Sequence, residues 1–289
     1  MHLAVGEKRQ DGFHNIESIF LPVSLCDTLI FEEAEADSVV VDASALPSFF
    51  AKRLTGTELP LERNIVFKAK KIFAEKSSFE KKYRITLIKR IPSAAGLGGG
   101  SSDAAAVLMA LNKMSGGILY YKALCAIAAA LGSDVPYFIT TNGEPQTKAA
   151  WVSGRGEKIE FLETPKLNIV LVNPSIESPT PAAFEMLDAS RKHSFYRGEG
   201  APQADELKKM LYSDPARWEY KNDFLQMFLN TGETGDAYLN ILKSLIANGA
   251  LFANLSGSGA ACFGVFQNED AAIRAETALS KHWDFVRNC

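Results

Sequence analysis

Cysteine pairs, long apolar runs and an excess of positive charge are all missing from this 289-residue chain. Its four cysteines, Cys26, Cys125, Cys262 and Cys289, are scattered, with no C-x-x-C and no histidine pair beside them. That spacing gives neither a disulfide framework nor a zinc site. Cys125 and Cys262 lie in apolar runs and are expected as buried small hydrophobes. No stretch reaches membrane-spanning length and no leader-like segment opens the chain, so a soluble cytoplasmic protein without a membrane partner is expected. A formal net charge of −3 withholds the general attraction that nucleic acid binding uses, so no nucleic acid partner is expected. There is no long-period repeat and no low-complexity tract. What remains, 47% hydrophobic and 22% charged residues, is a globular composition long enough for two ordinary domains.

Residues 1–5 already have strand character, Gly6 to Gly12 form a charged turn with an Asp-Gly hairpin signal, and residues 13–20, 28–32 and 39–41 continue as strands. The opening is expected as an antiparallel meander. Apolar residues at 65, 66, 69, 72 and 73 predict an amphipathic helix capped by Asn64. Tyr83 to Ile88 is strand-like, Ala104 to Asn112 is alanine-rich helix, and Tyr120 to Leu131 is a second apolar helix ending at Gly132. Gly132 to Ile139 is expected as an extended segment carrying Asp134, and 140–157 as a polar passage between domains. Later strands are expected at 168–172 and 262–266. Helices are expected from Pro181, over 222–229 and 238–248, and from about 269 to 281, with loops and short helices over 190–220. The order suggests two α+β halves.

The densest signal is Pro92-Ser93-Ala94-Ala95-Gly96-Leu97-Gly98-Gly99-Gly100-Ser101-Ser102-Asp103. Glycine admits positive φ and close approach of the backbone to a ligand. A helix start adds unpaired N–H groups and the positive end of a dipole, a combination that holds phosphate. Ser101, Ser102 and Asp103 are all competent N-caps. A flexible Gly-Ser loop before a core helix explains the glycine count alone, but not the strand-to-helix setting or the glycine density. No lysine follows the last glycine, which excludes a Walker A loop. The spacing is not G-x-G-x-x-G and no ribose-binding acid is evident, which argues against a dinucleotide fingerprint.

The string resembles the phosphate loop of the GHMP kinases, the family of galactokinase, homoserine kinase, mevalonate kinase and phosphomevalonate kinase. Leu255-Ser256-Gly257-Ser258-Gly259-Ala260 is similar to the family's C-terminal glycine loop. Asp11-Gly12-Phe13-His14, Asp134-Val135-Pro136, Pro179-Thr180-Pro181 with Phe184, and Asn222-Asp223 resemble motifs of a branch whose substrate carries cytosine. The likeness runs over nearly the whole chain. It implies a two-domain α+β architecture, ribosomal-protein-S5-like over 1–155, with the ATP site and phosphate loop, and ferredoxin-like over 156–289, on the substrate side.

The same resemblance implies phosphorylation of a small-molecule alcohol by ATP, with Mg²⁺ bridging the ATP phosphates. Asp134 is the implied base, taking the proton of the substrate hydroxyl, and also touches substrate. ATP would be held by Asn64, Pro92, Gly96, Gly98, Gly99, Gly100, Ser101, Ser102, Gly257 and Gly259. The alcohol would be held by Phe13, His14, Thr180 and Phe184, with Phe13 and Phe184 stacking on the pyrimidine. No protein metal ligand is implied, and a monomer or weak homodimer is expected. The family's N-terminal motif, roughly K-I-N-L-x-L, aligns its end with Met1-His2-Leu3, so its Lys and Asn fall before residue 1. A late chain start is the expectation. The alternatives are another kinase of the family, acting on homoserine or mevalonate, and a catalytically impaired nucleotide-binding form.

Overall fold

The computed structural model describes residues 1–55, 61–139, 148–191 and 203–289. Among these, the chain runs β1 (Leu3–Lys8), β2 (His14–Phe20), β3 (Thr28–Glu33), β4 (Ser38–Asp42), α1 (Ser48–Thr55), α2 (Ile65–Ser77) and β5 (Tyr83–Ile88). It continues with α3 (Gly99–Met114), α4 (Tyr121–Leu131), β6 (Ala150–Gly154), β7 (Lys158–Phe161), β8 (Asn168–Asn173), α5 (Thr180–Arg191) and α6 (Ala204–Met210). It ends with α7 (Asp223–Phe228), α8 (Glu233–Ala247), β9 (Phe252–Leu255), β10 (Cys262–Phe266), α9 (Glu269–Leu279) and β11 (Phe285–Asn288). Two compact units result, one of residues 1–24, 94–97 and 148–289, the other of 25–93 and 98–147. The boundary expected at residue 155 falls in the turn between the paired strands β6 and β7, inside the first unit.

In the first unit, β1-β2-β6-β7 and β11-β8-β10-β9 form two antiparallel sheets. β8 lies between β10 and β11, and its residues from Ile169 to Asn173 are all buried. That is why its sequence is a continuous apolar run without alternation. Val170 and Val172 of β8 share a core with Tyr238, Ile241 and Leu245 of α8 and Ala272, Ala275 and Leu279 of α9.

In the second unit β5 is the middle strand of the order β3-β5-β4, antiparallel to β3 and parallel to β4. Tyr83, Ile85 and Leu87 alternate inward from it, onto Val66, Ala69 and Phe73 of α2 and Ala104, Ala105, Leu108 and Leu111 of α3. Phe73 is wholly buried, worth roughly 2–3 kcal/mol by area. Asn64 caps α2 as expected, accepting from Val66 N at 2.9 Å.

Several expectations are corrected here. The opening is no single meander, because β2 pairs with β6 while β3 and β4 flank β5. Residues 135–138 form a 3₁₀ turn rather than an extended segment, with Pro136 in its first turn. The polar passage expected over 140–157 contains β6 and the turn leading to β7, while 140–147 lie outside the described residues. So do 192–202 of the segment expected to hold loops and short helices; beyond them α6 is one such helix. Cys262 is buried as expected, whereas Cys125 is only half-buried.

Candidate active site

In the second unit, β5 leads through buried Lys89, Ile91 and Pro92 toward the glycine-rich segment. Gly98 is the N-cap of α3, in the left-handed region at φ 67° and ψ 13°. The three residues expected as caps lie inside the helix instead: Ser102 Oγ donates to Gly99 O at 2.8 Å, and Asp103 is buried. A residue in left-handed backbone lets the chain turn sharply into the helix, which no serine cap requires. The N–H groups of Gly99, Gly100 and Ser101 therefore open α3 without intrahelical partners. Gly99 is held to hydrogen, since a Cβ there would stand 2.8 Å from Ile91 Cγ2. Gly100 is exposed and lies beside the start of α2, its Cβ position 3.7 Å from Ile65 Cγ2. The cap of α2, Asn64, is thus close to the anion-attracting end of α3.

Asp134 precedes the 3₁₀ turn, which packs against α3, and Phe138 at the end of that turn lies 3.1 Å from where a Gly98 Cβ would stand. The Asp134 carboxylate makes no capping bond to its own turn. Burial pushes its carboxyl above the ordinary carboxylate range, a shift that makes a carboxylate a stronger base.

In the first unit, residues 94–97 are laced to residues 256–261. Ser256 Oγ donates to Gly96 O at 2.8 Å, and Ala261 N donates to Ala95 O at 3.0 Å. Gly257 and Gly259 have φ of 56° and 87°, and a Cβ on Gly257 would stand 3.0 Å from Gly96 O. Ser178 Oγ donates to Ser258 O at 2.5 Å, and Thr180 Oγ1 is 3.0 Å from Ser258 Oγ. Thr180, expected at the substrate, thus bonds Ser258, the residue between Gly257 and Gly259. Beneath the loop, buried Asn222 donates to Leu255 O at 3.0 Å and Gly257 O at 2.9 Å. Its Oδ1 caps α7, accepting from Phe224 N and Leu225 N.

Two of the three rings expected at the substrate stand together. Phe184 stacks on His14, with ring centroids 5.1 Å apart and planes at 23°; its edge meets Phe224. Phe13 is 50% exposed, and its ring carries the Arg155 guanidinium at 4.9 Å. His14 is held at both nitrogens, by Gly6 O at 2.9 Å and by the Asp188 carboxylate at 3.2 Å. Sequence reasoning gave no role to Asn222, Asp188 or Arg155. Asn222-Asp223 carried a visible helix-cap signal, while Asp188 and Arg155 had none.

The description "GHMP kinases N terminal domain" matches residues 64–142, and "GHMP kinases C terminal" matches 188–284. The chain is 34% identical over 282 residues to a 4-diphosphocytidyl-2-C-methyl-D-erythritol kinase of Chlorobium chlorochromatii, covering 96% of this chain and 88% of that one. It is 34% identical over 284 residues to the kinase of the same name from Caldanaerobacter subterraneus, covering 98% and 91%. A crystal structure of 4-(cytidine 5'-diphospho)-2C-methyl-D-erythritol kinase superposes with a TM-score of 0.76 at 28% identity, covering 99% of this chain and 94% of the other. A homoserine kinase from Cytophaga hutchinsonii shares the fold, with a TM-score of 0.62 at 16% identity, covering 95% and 87%. With both halves of the family description matched and two full-length relatives at one-third identity, this chain belongs to the GHMP kinase family.

Proposed function

We propose that the chain transfers the γ-phosphoryl group of ATP to the 2-hydroxyl of 4-diphosphocytidyl-2-C-methyl-D-erythritol, a step of the non-mevalonate route to isoprenoids. The observation that carries this reading is the near full-length likeness to kinases of that name, together with the glycine segments described above. Asp134 takes the proton of the alcohol as its oxygen attacks the γ-phosphorus, and ADP leaves with the electrons of the broken P–O bond. Free N–H groups at Gly99, Gly100 and Ser101 face the transferring phosphates, where fixed donors lower the cost of developing charge. Asn64 and Pro92 flank the purine, and Gly96, Gly98, Ser102, Gly257 and Gly259 shape the phosphate cradle. On the substrate side, Phe13, His14 and Phe184 hold the cytidine end, and Thr180 also contacts the substrate.

No cluster of three His, Cys, Asp or Glu side chains suited to a metal occurs among the described residues. Mg²⁺ is proposed to arrive on the phosphates of ATP, where it neutralises charge. No helix among the described residues is long and apolar enough to cross a membrane. A cytoplasmic monomer or weak homodimer completes the proposal.

A coupled ADP-release assay with the cytidine substrate beside homoserine and mevalonate tests it. Turnover of the cytidine substrate alone is expected. Turnover of only homoserine or mevalonate overturns the assignment, and binding of ATP and substrate without transfer favours the catalytically impaired form.

A further inference from the structure

Three charged side chains are buried together behind the start of α3. Lys89 Nζ bonds Asp103 Oδ2 at 2.9 Å and also the Asp27 carboxylate. The side chains of Lys89, Asp27 and Asp103 are only 5%, 2% and 5% exposed. Asp27 Oδ1 further accepts from Arg90 N at 2.5 Å and Ile91 N at 2.9 Å. One carboxylate therefore grips the arm that enters the glycine-rich segment from β5, and the other belongs to the helix that leaves it. The ammonium joins them. It sits 3.5 Å from where a Gly99 Cβ would stand, beside the first residue of α3.

Burying three charges is costly, and an apolar trio of the same volume would often be as stable or more so. The arrangement also carries an excess of one negative charge beneath an anion-binding helix end. That excess opposes phosphate binding, because a charge in a dry interior is poorly screened. We infer that Asp27, Lys89 and Asp103 are positioning residues that fix both arms of the phosphate loop while holding nucleotide affinity down, so that ADP can leave. This inference rests on the proposed function only in taking ATP as the anion.

The charged groups facing Asp103 are Lys89 and Asp27. Of the other elements packed on α3, α2 has its buried Lys70 paired with Asp37, the 3₁₀ turn follows Asp134, and the charged residues of α4 and β3, Lys122, Glu32 and Glu33, are exposed. Burial, opposed by Lys89 and reinforced by Asp27, pushes the Asp103 carboxyl up to about 6. The excess charge is thus present above that pH and fades below it.

The test is calorimetric ADP and ATP affinity of the unaltered chain, Asp103→Asn and Asp27→Asn, from pH 5 to 8. At position 103 Asn keeps the acceptor for Lys89 and removes one negative charge; at position 27 it also removes one of two accepting oxygens, so the grip on Lys89 or on Arg90 N and Ile91 N is lost. Asp103→Asn is expected to bind nucleotide about three- to tenfold more tightly at pH 8, and Asp27→Asn, which loosens the entering arm, less tightly than Asp103→Asn. For Asp103→Asn the ratio to the unaltered chain, in which the titration of the nucleotide itself cancels, should fall toward one below about pH 6. The double variant Asp103→Asn with Lys89→Met restores the negative excess and should lose the gain. A merely structural role gives unchanged or weaker binding in Asp103→Asn, and that result overturns the inference. Failure of the unaltered chain to phosphorylate the cytidine substrate, with tighter binding in the variants intact, sinks only the proposed function.

Discussion

The hydroxyl of Ser256 donates to the backbone oxygen of Gly96 at 2.8 Å. Two glycine segments separated by some 160 residues of chain thereby share one scaffold, reinforced by the Ala261–Ala95 backbone bond. Neither segment holds its shape alone, since each lacks the side chains that would restrict its backbone.

Gly96→Ala should be severe. Its φ is +69°, and a Cβ there would stand 2.1 Å from Ser256 O and 2.8 Å from Gly259 O. Both neighbours are backbone and cannot swing aside. A loss of about 3 kcal/mol or more in urea unfolding is expected, with a raised KM for ATP. Unchanged stability would mean the two segments are not packed as described.

Asp134→Asn should slow turnover strongly and stabilise the fold. Loss of a general base lowers kcat by about a hundred- to ten-thousandfold, with nucleotide affinity retained. Burial raises the Asp134 carboxyl, so the folded chain binds this proton more tightly than the unfolded chain does. Stability from this group is complete below the unfolded value of about 4 and is lost as pH rises through the folded value. The Asn variant escapes that loss. Its melting temperature should exceed that of the parent at pH 7, with the gap closing at pH 4, and kcat/KM of the parent should fall on acidification. A variant less stable at pH 7 contradicts the assigned burial.

Asn222→Asp separates capping from loop support. The carboxylate still accepts from Phe224 N and Leu225 N but cannot donate to Leu255 O and Gly257 O, which it would instead repel. Two unpaired carbonyls and a buried charge should cost about 2 kcal/mol or more. The KM for ATP should rise more than that for the alcohol, measured by steady-state kinetics across both substrates.

Phe184→Leu tests the pyrimidine contact. It keeps apolar volume against Phe224 but removes the flat face beside His14. The KM for the cytidine substrate should rise about tenfold while the KM for ATP stays put. Equal changes in both would show that Phe184 acts through the core alone.

Local order was readable wherever one residue carries its own signal. Asn64 as a cap, the 65–73 periodicity, the Asp11-Gly12 turn and the apolar run of β8 all name their element without help from distant chain. The partners of β3 and β4 were not readable, because alternation fixes which face a strand buries and not which strand it joins. The short strands β7, β9 and β11 are hidden for a related reason: four residues hold too little pattern. Gly98 displaced Ser101, Ser102 and Asp103 as the cap because a left-handed start outweighs side-chain capping where the backbone must turn. The buried Lys89–Asp103 pair had no sequence mark, since a lysine after a strand looks like any solvated end. For the site, the glycine-rich segments were legible by their density, whereas the stacking of Phe184 on His14 had no sequence mark, because ring contacts between residues so far apart in the chain leave no local pattern.

The double duty of the Asn222 amide has a dynamic consequence. Because one planar group closes the first turn of α7 and also suspends Leu255 and Gly257, local melting at either end unlatches the other. Amide exchange at Phe224 should therefore keep time with reshaping of the distant glycine hairpin, and ligand-induced quieting there should be felt at α7 without any direct touch.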